Sequence, residues 1–424
     1  IEVAMRPCLY PREAFGDSDV TERLLRLGRM TDMQKSSIRT SFLRKCQSRC
    51  LKYARDYMLC FLMYDIAMAR ALITTVQFAK KKNLTPDRVC DSYTYSETYW
   101  RHEIDIIQDL IRQFERRSRD PLDTKLYALA QADKPLHCPN VFITVTVNEW
   151  GSPFHSTMFA RFQGKQMVDF QGPMTLDLYR KLVETMKDLL QTNEFFDEVY
   201  DYCIRIEFQG RGTLHIHVVA WAILQPGIKI AGNVSKKKWS PFVRLLHKTF
   251  KSNVDVAIGA YHNYISGYIS KASDAMNFSV TEHFKAKVDD AWLVVYRLMC
   301  KRSPCIPEIF VYFARLPHMV RSFRTDTIYA PGPTCPDDAN NSMKLYASYR
   351  ATEDSLFPCK SIAFIDYART HHIVAGNVKL RPIMGGGHNT GKTTTAVGVR
   401  FGYEMHDQYI FHYCAMFFPH YHKN

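Results

Sequence analysis

Glu207-Phe-Gln-Gly-Arg-Gly-Thr-Leu-His215-Ile-His217-Val-Val-Ala-Trp-Ala222 decides how the chain is read. Side chains alternate faces along a strand, so His215 and His217 point the same way, from one edge of a sheet, while Ile216 and Val218 point into the core. The preceding residues, Tyr202-Cys-Ile-Arg-Ile-Glu-Phe-Gln209, form a second strand that carries Glu207 and Gln209 on one face. The Gly210-Arg-Gly212 turn folds this strand back, antiparallel to the histidine strand. Two imidazoles, a carboxylate and an amide then face one point. An ion held by two histidine nitrogens and one carboxylate keeps open coordination positions, the arrangement of a catalytic rather than a structural metal. The candidate ligands are His215, His217, Glu207 and Gln209.

Outward from this hairpin, Asn140-Val-Phe-Ile-Thr-Val-Thr-Val-Asn148 reads as a β-branched strand with Phe142, Thr144 and Thr146 on one face. A helix is expected from Leu176 to about Leu190, another near Val243 to Phe250, and a strand over Asn253 to Ile258. Strands interleaved with helices, with hairpin-linked strands at the centre, indicate an α+β domain with a central antiparallel sheet flanked by helices. Residues 1–135 read as helical, with apolar positions at three- and four-residue spacing in Ser41 to Lys82 and Glu103 to Arg117. Residues 281–424 read as mixed helix and loop. The expected division is therefore 1–135, 136–280 and 281–424.

The chain has 424 residues and a formal charge of +14, with a pI near 9.1, which favours a polyanionic partner such as nucleic acid or an acidic membrane surface. Lys236, Lys237 and Lys238 form one of several basic clusters. The apolar run Met58 to Ala79 is interrupted by Asp65 and Arg70, so it is expected to be a buried or amphipathic helix and not a membrane span. Twelve scattered cysteines without a C-x-x-C pair indicate reduced thiols in an intracellular protein. The chain begins at Ile1, which suggests a fragment of a longer reading frame. Gly386-Gly-His-Asn-Thr-Gly391-Lys392-Thr393 satisfies the Walker A pattern, but only 31 residues follow it. That is too few for a nucleotide-binding domain, and no nucleotide site is assigned there.

Tyr261-His-Asn-Tyr264-Ile-Ser-Gly-Tyr268-Ile-Ser-Lys271 supplies the remaining chemistry. On a helix Tyr264 and Tyr268 share a face one turn apart, and Lys271 follows them. A phenol is a weak nucleophile at its ordinary pKa, near 10, and a nearby cation favours the phenolate. If this stripe meets the histidines, a tyrosine can attack a phosphodiester, with Tyr264, Tyr268 and Lys271 as the catalytic group. The product is a covalent phosphotyrosine and a free 3′-hydroxyl, which can reverse the step without ATP.

The region resembles the HUH endonuclease, or rolling-circle Rep domain, of Helitron transposases. The resemblance rests on Glu207-Phe-Gln-Gly-Arg211-Gly-Thr-Leu-His215-Ile-His217, on Phe142-Ile-Thr-Val-Thr-Val-Asn148, and on Tyr264-Ile-Ser-Gly-Tyr268-Ile-Ser-Lys271. In the last of these Gly267 stands where family members carry a lysine. Trp239-Ser-Pro-Phe242 and Asn253-Val-Asp255 recur as well, and Cys8-Leu-Tyr-Pro with the helices after it is similar to the Helitron-like N-terminal domain. The resemblance implies a nuclease and strand transferase acting on single-stranded DNA at transposon ends, with Mg²⁺ or Mn²⁺ as the ion. It further implies Asn148, Arg211 and the three lysines as DNA contacts, a helicase in the full-length protein, no membrane partner and action in the nucleus, while Trp150, Phe208 and Trp221 are each either a stacking surface or part of the core. A viral or plasmid replication initiator, or a DNA-binding copy without nuclease activity, are the alternatives.

Overall fold

The computed structural model describes residues 38–46, 52–81, 139–147, 171–208, 214–258, 304–330, 341–351, 364–380 and 395–401. At its centre is a six-stranded sheet made of β1 (Val141–Thr146), β2 (Phe196–Phe208), β3 (Leu214–Leu224), β4 (Gly232–Asn233), β5 (Asn253–Ile258) and β6 (Met319–Arg321). Its order is β4-β5-β1-β3-β2-β6 and every pairing is antiparallel. The α+β class and the antiparallel sheet are as expected. The histidine strand is not at an edge. β3 lies between β1 and β2, hydrogen-bonded along both edges, and its residues from Leu214 to Ala222 are buried throughout, as suits an inner strand.

The register sorts the residues into two faces. Val141, Ile143 and Val145 of β1, Ile216, Val218 and Ala220 of β3, and Val254 and Val256 of β5 enter one hydrophobic core. The alternate residues, among them Thr144, Thr146, His215, His217 and Glu207, occupy the opposite face. Asn140 lengthens the β1–β3 ladder with its side chain, whose Nδ2 donates to the Ala222 carbonyl at 2.7 Å while its Oδ1 accepts from the Ala222 amide at 3.0 Å.

Helices cover the apolar face and come from all parts of the chain. They are α1 (Ile38–Cys46), α2 (Lys52–Arg55), α3 (Tyr57–Lys81), α4 (Gln171–Leu190), α5 (Pro241–Phe250) and α6 (Ile306–Phe313). Phe42 of α1 packs on Phe310 and Phe313 of α6, and Phe242 of α5 packs on Phe195 and Phe196 at the start of β2. The expected stretch Ser41 to Lys82 is thus divided. Asp56 accepts from the Leu59 amide at 2.9 Å, as an N-cap does, and starts α3 afresh. Cys46, Cys60, Cys203 and Cys305 are free thiols. No helix among the described residues is long and apolar enough to cross a membrane.

Residues beyond 280 also form strands, which corrects the reading of 281–424 as helix and loop. β6 adds the outer strand of the main sheet beside β2, and Ser322 anchors it by donating to Asp201 at 2.7 Å and accepting from the Tyr202 amide at 2.9 Å. β7 (Arg324–Ala330) pairs in parallel with β10 (Thr395–Phe401). α7 (Asn341–Ala351), α8 (Phe364–Thr370) and the β8 (His371–Val374) to β9 (Asn377–Leu380) hairpin complete the described residues. A three-residue strand such as β6 has no alternation long enough to read from sequence, and only its partner β2 defines it.

Candidate metal and nucleic-acid site

β2 and β3 pair as the glycine turn requires, with Glu207 directly opposite His215 and Arg205 opposite His217. On its other side β3 pairs with β1, setting Thr144 against His217 and Thr146 against His215. Two rows therefore cross the sheet side by side. One runs Asn253, Thr146, His215, Glu207, and the other runs Asp255, Thr144, His217, Arg205.

Within these rows the side chains close a small polar cluster. His217 Nε2 lies 2.8 Å from Glu207 Oε2, and His217 Nδ1 shares a hydrogen bond with the Thr144 hydroxyl at 3.1 Å. Phe142 stacks on the His217 ring with a 5° angle between planes. His217 is 2 % exposed, His215 9 % and Arg205 2 %. The rings of His215 and His217 stand 6.4 Å apart at 66°. Burial holds the Arg205 guanidinium down to about 10, against the opposing pull of Glu207.

An imidazole nitrogen and a carboxylate oxygen are donor types found at divalent metal sites, and in this structure the two are hydrogen-bonded directly to each other. The contact with Glu207 places a proton at His217 Nε2; were an ion to replace that proton, the Thr144 hydroxyl could accept from Nδ1 and leave Nε2 as a lone-pair donor. Among the described residues, however, no group of three or more His, Cys, Asp or Glu side chains is gathered so that it could hold a metal ion. Gln209, the fourth expected ligand, lies outside the described residues, as do Arg211, Asn148, Tyr264, Tyr268, Lys271, Trp150 and the Walker-like segment. For Trp221 and Phe208 the structure decides between stacking surface and core in favour of core. Trp221 is buried against Phe323 and Phe208 is buried against His318.

Thr144 and Arg205 join the cluster without having been singled out as site residues. Each carried a signal, since Thr144 shares the face of Thr146, and Arg205 stands two residues before Glu207 and so on the same face.

Residues 115–220 match the family model described as the Helitron helicase-like domain at N-terminus. This supports a Helitron-related protein. The matched residues are a quarter of the chain and include β1, α4, β2 and β3 as far as Ala220, so both histidines and Glu207 fall within them. They overlap the 1–135 region only at its end. The match suggests a Helitron transposase-related function in DNA transposition, with DNA as the partner. A comparison with curated proteins finds no match to this chain.

Proposed function

We propose that the protein is a metal-dependent endonuclease and strand transferase of rolling-circle transposition, acting on single-stranded DNA at transposon ends. The observation that carries this reading is the contact between Glu207 and His217 beside His215, on the polar face of a central sheet and inside the Helitron-matched residues. His215, His217 and Glu207, with Gln209, would hold Mg²⁺ or Mn²⁺. Such an ion supplies Lewis-acid polarisation of a phosphoryl oxygen when bound.

The chain's own residues do the rest. Thr144 holds the His217 ring through its hydrogen bond to Nδ1, and the Phe142 ring stacks on the imidazole plane. Tyr264 or Tyr268 is the nucleophile, and Lys271 favours its phenolate. The tyrosine oxygen forms a bond to phosphorus as the bond from phosphorus to the 3′ oxygen breaks. The proton lost by the phenol is balanced by the one gained by the 3′-hydroxyl, leaving a 5′-phosphotyrosine. A second tyrosine allows a second transfer. Acting on chromosomal DNA, the protein would work in the nucleus, joined in its full-length form to a helicase.

The test uses end-labelled single-stranded DNA with Mn²⁺, comparing the parent with Tyr264→Phe, Tyr268→Phe and His215→Ala. A covalent protein–DNA band that disappears in His215→Ala and weakens in a tyrosine variant is the expected result. Retained binding with no covalent band in the parent would reduce the protein to a DNA-binding copy.

A further inference from the structure

The edge of the sheet nearest β4 carries a second feature. Between Gln225 and Asn253 there is no acidic residue, whereas Lys229, Lys236, Lys237, Lys238, Arg244, Lys248 and Lys251 are all present. All seven are exposed, and none of them is in an ion pair among the described residues. The nearest carboxylate on this edge is Asp255, opposite Asn233 in the β4–β5 ladder, so the excess of exposed cations on ordered backbone suits a polyanion.

The three central lysines are held in a tight turn. The Asn233 and Lys238 backbones exchange two hydrogen bonds of 2.9 Å, the Lys236 amide donates to Asn233 Oδ1 at 3.0 Å, and Lys237 takes a left-handed conformation at φ 53°. The turn is also tied to the site's end of the sheet. Ser235 donates to Asn253 Oδ1 at 2.8 Å, and Asn253 begins the row that runs through Thr146 to His215 and Glu207. Lys251, also left-handed at φ 47°, comes two residues before Asn253 at the same end. Asn253 and His215 are two strand spacings apart, roughly 10 Å at about 4.8 Å per strand. The lysine turn flanks β4, one strand further out, so phosphates held there are bound by the lysines themselves and not by the charges of the site, which lie beyond a screening length at physiological salt.

We infer that Lys236, Lys237, Lys238 and Lys251 form an entry rim that grips the phosphate backbone of single-stranded DNA and leads it along the Asn253–Thr146–His215 row to the candidate metal site. The rim deepens the proposed function and rests on it for the identity of the strand. Backbone contacts of this kind are sequence-independent and salt-sensitive, and single strands lose about 0.7 in the slope of log K against log salt for each phosphate contact removed.

The experiment measures binding of a fluorescent single-stranded oligonucleotide to the full chain by anisotropy across a salt series, for the parent, the triple variant K236Q/K237Q/K238Q, K251Q, and the control K181Q on the exposed side of α4. Circular dichroism checks that each variant keeps the parent's fold. The expected result is a slope shallower by about 2 in the triple variant, from three contacts, a smaller change in K251Q and none in K181Q. A slope unchanged in the triple variant, an equal change in K181Q, no binding by the parent, or an equal loss of duplex binding would each overturn the rim. Covalent adduct formation is scored separately. Adducts in the parent with an unchanged slope in the triple variant sink the rim alone, and a shallower slope with no adducts in the parent sinks the nuclease reading alone.

Discussion

Glu207 lies directly across from His215 in the β2–β3 ladder, yet its carboxylate contacts the diagonal histidine, His217, at 2.8 Å. Diagonal positions on adjacent strands are some 7–8 Å apart, within reach of long side chains. Glu207 and His217 are thus hydrogen-bonded across the ladder, with His215 beside them on the same face.

Glu207→Gln keeps the length of the side chain and its ability to hydrogen-bond His217, but removes the charge. The fold should persist, with a melting temperature close to the parent's. Affinity for Mn²⁺, followed by calorimetry, should fall at least about 10-fold, since even groups that only orient a ligand cost that much. Unchanged affinity would mean that Glu207 is not a ligand.

Thr144→Val preserves shape and removes the partner of His217 Nδ1. Stability should fall by about 1 kcal/mol, the net value of one hydrogen bond. The informative readout is Mn²⁺ affinity, expected to drop about 10-fold or more through loss of imidazole orientation. A stability change without an affinity change would leave Thr144 a purely structural residue.

Ser240 does two jobs at the start of α5, accepting from the Val243 amide at 3.1 Å and donating to the Ile230 carbonyl at 2.7 Å. Ser240→Ala should cost about 1–2 kcal/mol, as the loss of a helix cap does. Urea unfolding measures it, and a cost below about 0.3 kcal/mol would show that water replaces the cap.

Gly232 opposes the lysine turn so closely that a Cβ there would meet the Lys238 carbonyl oxygen at 2.3 Å. Backbone cannot rotate away as a side chain can. Gly232→Ala should therefore destabilise by about 1–3 kcal/mol and displace the lysines, weakening single-strand binding. Thermal melting and anisotropy together check it, and unchanged values in both would mean that the turn relaxes freely.

Much of the sheet was legible because a strand's period is two. The alternation in Val141 to Thr146 and Leu214 to Val219 specified the strands and which residues share a face, and the glycines at 210 and 212 indicated the antiparallel hairpin. Strand limits were less legible. β2 begins at Phe196 rather than Tyr202, since bulges between Phe196 and Glu198 and between Val199 and Asp201 break the alternation in its first half.

The sequence by itself determined the two histidines, the carboxylate, their shared face and the charge of the chain, since these follow from residue identity and the geometry of an extended backbone. Only the tertiary structure decided that β3 is central, that Thr144 and Arg205 flank His217 on either side, that Glu207 reaches the diagonal histidine, and that Ser235 ties the lysine turn to the row ending in His215. Those facts depend on which strands pair and in what register. Register is set by how residues from β1, β3, β5, α1 and α6, far apart along the chain, fit into one core, and no local period records that fit.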